Sequence, residues 1–259
     1  MRTYTLLITG LIVLPLVFAT FFYFLGFLNE VINPSSQIKF PSVLDIYSDF
    51  LRAIVDKDVI RAIGITLKNV IISTLISIFT GVFLSLLLTA NKNLLKIFEP
   101  TVDLFRSIPV TFFIPAFALI LGVSSPNIIW ILTIIPCSLI IVINVTAGIT
   151  QQNKARLHHF CLLSRNNNRF YSFFKITVFE VLPFLVSGIK IILSYSIVVV
   201  TVLEYMKMGS QIGLGNLVAD KMDLYDYKRV YSIILIVGLI GYIVNKSVNV
   251  IFNKRLNYE

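Results

Sequence analysis

Charge and cysteine are both scarce in this 259-residue chain. Only 14% of its residues are charged and 57% are hydrophobic, whereas soluble domains run at roughly 25% and 45–50%. That shortage excludes a water-soluble globular protein and leaves a polytopic membrane protein. Acids are scarcer than bases, 13 against 22, for a formal net charge of +9. The bases form no soluble face interleaved with aromatics, so nucleic acid is not an implied partner. They gather beside apolar runs, where the positive-inside rule accounts for them. The two cysteines, Cys137 in an apolar run and Cys161 in a basic loop, lack metal or redox spacing and read as packing residues. His158 and His159 are adjacent, so on a helix they point about 100° apart and cannot chelate one metal together. No carboxylate pair, Ser/His/Asp set, Gly-rich phosphate loop or metal-spaced cluster occurs. The sequence therefore implies no catalytic site, no metal and no cofactor of its own.

Acids are also missing from one long polar stretch. Between Gly148 and Val178 there is none, while Lys154, Arg156, Arg165, Arg169 and Lys175 are present. Lys and Arg resist translocation, so this loop, at about 150–176, belongs on the cytoplasmic side. Leu157, Phe160, Leu162 and Leu163 recur at mixed helical spacing, which suggests a short helix outside the bilayer, open to a partner. A solvated basic loop is the simpler alternative.

What is abundant is long apolar runs. Six read as spans: Thr5–Leu28, Ile63–Ala90, Thr101–Gly122, Asn127–Ala147, Val178–Leu203 and Val230–Phe252. Runs of about 20 residues match the hydrocarbon thickness. Thr5–Leu28 is longer than the apolar region of a signal peptide and reads as a retained span. Pro109, Pro115 and Pro136 fall within spans, where neighbouring helices must satisfy the backbone groups they free. Between the first two runs, Ser42 is a candidate cap for an amphipathic helix with Val43, Ile46, Phe50 and Ile54 on one face. That helix is expected at the membrane surface or as an ordinary extramembrane segment. Residues 1–62 thus form an N-terminal span with a surface segment, and 63–259 a five-helix core. Six spans with both termini cytoplasmic put Lys92, Lys96, the basic loop, Lys254 and Arg255 inside. The mixed-charge loops at 29–61 and 204–229 then lie outside.

The order of small residues carries a resemblance. Phe40-Pro41-Ser42 precedes the surface helix. Thr66-Leu67 and Gly81 open the core. Pro100, Leu104-Phe105-Arg106-Ser107-Ile108-Pro109, Pro115 and Gly122 follow. Pro183, Gly188-Ile189-Lys190, Glu204 and Gly213-Leu214-Gly215 close the series. In this order and spacing the chain resembles the permease subunit of type I ABC importers, in the branch serving aliphatic sulfonates, taurine, nitrate and pyrimidine thiamine precursors. The resemblance implies an all-α, six-helix inner-membrane permease for a small anionic or heterocyclic solute. It also implies a partner ATP-binding-cassette subunit, a second permease subunit forming a homodimer, and an extracytoplasmic solute-binding protein. The family's cytoplasmic Glu-Ala-Ala signature falls here on Cys161 to Asn167, with the acid, both alanines and the glycine replaced. Asn167 tolerates the positive φ that the family's glycine takes.

By the same resemblance the basic loop is a coupling helix, with Leu162, Leu163, Ser164, Arg165 and Asn167 as its contacts to the ATPase. Lys190, deep in the fifth run, and Glu204, at its outer end, are the candidates for the substrate path. A cation at mid-membrane costs about 2.5–3.5 kcal/mol on insertion scales, so Lys190 should face the bundle interior, pair with a carbonyl or snorkel. Glu204 is equally readable as facing the path, a binding protein or loop solvent. Two other classes stay open: a structural or assembly membrane protein without transport activity, and a polytopic membrane enzyme. The latter should show intramembrane acids or histidines facing one cavity.

Overall fold

The computed structural model describes residues 17, 19–32, 40–152 and 169–256, and among them every regular element is helical. In chain order these are α1 (Ala19–Ile32), α2 (Val43–Val55), α3 (Lys57–Ala90), α4 (Lys92–Ser107), a 3₁₀ turn (Val110–Phe113), α5 (Ile114–Leu121), α6 (Ile128–Thr150), α7 (Arg169–Tyr205), α8 (Leu214–Asp223) and α9 (Tyr227–Leu256). Segments within α3, α6, α7 and α9 are long and apolar enough to cross a membrane. These match the second, fourth, fifth and sixth expected runs.

The third expected run is not one helix. Pro109 pushes Ile108 into extended geometry (φ −83°, ψ 120°), which ends α4. After the 3₁₀ turn, α5 restarts with Pro115 in its first turn, where no N–H is needed. The arms on either side of the break are bent by more than 40°, so they make one broken span or a re-entrant loop. The described residues therefore hold four spans, or five with the bent pair. Most of the first expected run lies outside the described residues, and α1 continues beyond its expected end at Leu28.

Helix α3 packs against α6 along a seam of small residues. Ser73, Thr74, Ser77, Gly81 and Ser85 are all buried. In a bilayer, lipid is as apolar as leucine, so close backbone approach replaces hydrophobic burial as the main source of helix association. At Gly81 an added Cβ would lie 2.6 Å from Ile141 Cβ and 2.8 Å from the Ser138 carbonyl. The serine hydroxyls turn back onto their own helix, as Ser77 does to the Ser73 carbonyl at 2.6 Å. Thr74 also pairs with Ser196 of α7 at 3.1 Å.

Ser42 caps α2 as expected, its hydroxyl oxygen accepting from the Asp45 N–H at 3.2 Å. The buried face differs from the expected one: Ile46 and Ala53 are buried while Ile54 is exposed. The cause is α9, on which α2 lies. Ser232 donates to the Ile46 carbonyl at 3.0 Å, and Arg229 pairs with both Asp49 and Asp56.

Candidate functional site

At the end of the bundle that carries α2 and α8, the helices α3, α7 and α8 meet on one buried carboxylate. Helix α7 stops there because Lys207 takes left-handed geometry (φ 57°). The Met208 N–H returns to the Leu203 carbonyl at 3.1 Å and the Lys207 N–H to the Glu204 carbonyl at 2.8 Å, a Schellman closure. This turn leaves Glu204 in the last helical turn, with no solvent exposure.

Both carboxylate oxygens of Glu204 are satisfied. Thr66 donates its hydroxyl to Oε2 at 2.7 Å, and Asn69 donates its amide to Oε1 at 3.1 Å. The Gly215 N–H reaches Oε2 at 3.2 Å. Thr66 Oγ1 also accepts the Leu214 N–H at 2.9 Å. The first N–H groups of α8, which lack partners inside that helix, are thus filled by α3 and α7. A carboxylate beside a helix N-terminus is also favoured by the helix dipole. Asn216 completes the entry by accepting the Gly213 N–H at 2.9 Å.

Two glycines make this approach possible. A Cβ on Gly213 would sit 2.2 Å from Glu204 Cδ, and one on Gly215 2.2 Å from the Thr201 carbonyl. The network extends to α6, because the Trp130 indole N–H donates to Asn69 Oδ1 at 2.9 Å. The Gly213-Leu214-Gly215 run is therefore one half of a lock whose other half is Thr66, Asn69 and Glu204.

Beside the lock lies a recess of about 90 Å³ lined by Lys68, Asn69, Trp130, Gly209, Ser210 and Gln211 among others. It adjoins a wider cleft of about 680 Å³ that shares Lys68, Ser210 and Gln211 and adds Asp58, Arg61 and Asp220. Lys207 holds Asp220 at 3.0 Å and Asp223 at 2.9 Å. Hydrogen bonds to Asp223 and Asp220 raise the Lys207 ammonium above its usual pKa.

The structure brings Glu204 together with Thr66, Asn69, Trp130 and Gly215, and places its carboxylate inside the protein. Lys190 stands half-buried in α7. Its carbonyl accepts from Ser194 at 3.4 Å, and among the described residues its ammonium has no ion pair. The coupling candidates Leu162, Leu163, Ser164, Arg165 and Asn167 lie outside the described residues. What flanks them is described: Gln152, just past α6, donates to Thr177 Oγ1 of α7 at 2.9 Å. Sequence reasoning missed Lys68, Asn69 and Trp130. Their available signal was a lone cation at the start of an uncharged run and the chain's single tryptophan.

No family model matches the chain. Curated relatives do. The formylaminopyrimidine transport permease protein ThiX of Halalkalibacterium halodurans is 27% identical over 183 residues, covering 68% of each chain. The nitrate import permease protein NrtB of Leptolyngbya laminosa is 22% identical over 199 residues, covering 77% of this chain and 70% of that one. Among solved structures, a chain of the MetNI methionine ABC transporter in inward-facing conformations matches with a TM-score of 0.60. That match has 19% identity and covers 76% of this chain and 95% of the other, a likeness of fold. The chain is thus similar to ABC permease subunits, which are transport proteins and not enzymes.

Proposed function

We propose that this chain is the membrane-spanning permease subunit of an ATP-driven ABC importer for a small anionic or heterocyclic solute. The observation that carries this reading is the joint match to two import or transport permeases and to an ABC-transporter fold over most of the chain. On this reading a separate cassette ATPase supplies the energy, a second copy of the permease completes the path, and an extracytoplasmic binding protein delivers the solute. Sulfonate, taurine, nitrate and a pyrimidine thiamine precursor are the solutes to test. Residues 1–62 supply an N-terminal span and an amphipathic surface segment, and 63–259 a five-helix permease core. Six spans with both termini cytoplasmic in a bacterial inner membrane are part of the proposal. They put the α2–α8 end outside. Outside labelling should then modify Asp223→Cys and spare Asn168→Cys, and the reverse pattern would overturn the orientation.

Coupling follows from how the basic loop is mounted. It leaves α6 at Thr150 and enters α7, a single helix of 37 residues that is about 55 Å long. The far end of that rod is Glu204. A push on Leu162, Leu163, Ser164, Arg165 or Asn167 therefore reaches the outer lock through one continuous element, passing Lys190 on the way. Arg165→Glu should weaken co-purification of the ATPase while leaving membrane insertion intact. A buried, paired interface charge carries about 2–5 kcal/mol. If Arg165→Glu and Leu163→Asp both retain the ATPase and its substrate-stimulated turnover, the loop is not the coupling element. The replaced Glu-Ala-Ala signature would then mark a permease-like protein without transport activity.

A further inference from the structure

We propose that the recess formed by Lys68, Trp130, Ser210 and Gln211 is an oxyanion-binding site at the outer mouth of the path. The proposal rests on the permease reading for its biological meaning, though not for its test. Lys68 is the last charged residue of α3, since Asn69–Ala90 contains none. A lysine at the edge of such a run keeps its ammonium at the interface along its own aliphatic stem, where it is open to an anion. Its side chain is exposed to the recess mouth, and it has no ion pair among the described residues.

The two hollows differ in charge. The wider cleft is lined by the acids Asp58 and Asp220 and by the bases Arg61 and Lys68, and Asp220 is already held by Lys207 at 3.0 Å. Lys68 is shared with the recess, where among the described residues it is the one charged lining residue. An anion in the recess therefore faces one ammonium and no lining acid. Ser210 and Gln211 add a hydroxyl and an amide, and neither side chain hydrogen-bonds within the described residues, so both are free to donate. A lysine with two neutral donors suits a compact oxyanion, such as nitrate or the sulfonate head of a larger solute.

The walls are fixed. Trp130 is tethered through its indole N–H to Asn69 at 2.9 Å, and Asn69 is tethered to Glu204 at 3.1 Å. Gly209 has φ 84°, and a Cβ there would lie 2.9 Å from Ile129 Cδ1. Its N–H donates to the Val123 carbonyl at 2.9 Å. The turn that presents Ser210 and Gln211 is therefore held against α6. At about 90 Å³ the recess has room for a compact oxyanion head.

The chain has one tryptophan, and it lines the recess, so its emission reports occupancy. The purified full-length permease in nanodiscs is titrated with methanesulfonate, and in parallel with the neutral methanesulfonamide. The expected result is a saturable change in Trp130 emission with the sulfonate only. Lys68→Met should weaken it at least tenfold, Lys68→Arg should retain it, and Gln211→Leu should weaken it less. An unchanged curve for Lys68→Met, an equal response to the sulfonamide, or no saturation in the wild-type protein would overturn the site. ATPase co-purification is scored separately, so loss of the recess leaves the permease reading standing, and loss of the ATPase leaves the recess to be decided by fluorescence.

Discussion

Glu204→Gln is expected to lower the melting temperature of the purified protein by roughly 5–10 °C, a cost of about 2–3 kcal/mol. The substitution keeps the shape of the side chain, removes its negative charge beside the α8 N-terminus and replaces one acceptor oxygen with a donor. Glu204 accepts from Thr66 and Gly215 on one oxygen and from Asn69 on the other. A glutamine must place its –NH₂ on one of these two sides. There it meets either the Asn69 amide or the paired Thr66 hydroxyl and Gly215 N–H, all of them donors. With no solvent exposure at this position, water cannot relieve the mismatch. The Thr66 hydroxyl also anchors the Leu214 N–H at 2.9 Å, so disturbance of one bond loosens the entry to α8. Thermal unfolding followed by Trp130 emission is the measurement, because Trp130 is bonded to the same network. A melting temperature equal to wild type would show that the network carries no net stability.

The four spans of α3, α6, α7 and α9 were legible in the sequence because each depends on a local property. A long uncharged run such as Asn69–Ala90 must be helical in a membrane whatever it packs against. The Ser42 cap was legible for the same reason, since its partner is three residues away. The lock was not. Thr66 and Glu204 lie 138 positions apart, and an acid at the end of an apolar run looks alike whether it meets water or three donors. Gly213 and Gly215 were visible as part of a spaced series, but their reason is visible only beside Glu204 Cδ and the Thr201 carbonyl. The rotated face of α2 has a similar origin: Ile46 and Ala53 are chosen over Ile54 by α9, nearly two hundred residues downstream. The broken third run was half legible, for Pro109 and Pro115 were seen and only their combined effect on direction was not. Lys68 was hidden by being ordinary, a single cation that acquires meaning from the residues of α6 and the 209–211 turn around it.

Gly215→Ala should do more damage than Glu204→Gln, although it adds one methyl group and removes no hydrogen-bonding atom. The added Cβ would lie 2.2 Å from the Thr201 carbonyl oxygen and 2.5 Å from the Tyr205 N. Both are backbone atoms of α7, so no side-chain rotation relieves the contact, and the helices themselves must separate. Overpacking of this kind costs about 3 kcal/mol or more when the neighbours cannot shift. Separation would also draw the Gly215 N–H away from Glu204 and the Leu214 N–H away from Thr66, leaving buried donors and a buried carboxylate short of partners. At Gly213 the obstacle is the end of a side chain, Glu204 Cδ at 2.2 Å, which can swing aside at the expense of its own bonds. The two substitutions therefore separate steric closeness from hydrogen bonding. Gly215→Ala is expected to abolish recovery of folded protein in detergent, while Gly213→Ala should leave a recoverable protein with a melting temperature between wild type and Glu204→Gln or close to the latter. Normal yield and stability for Gly215→Ala would mean that α8 does not sit against α7 as described, and the lock, with the recess wall it supports, would fall with it.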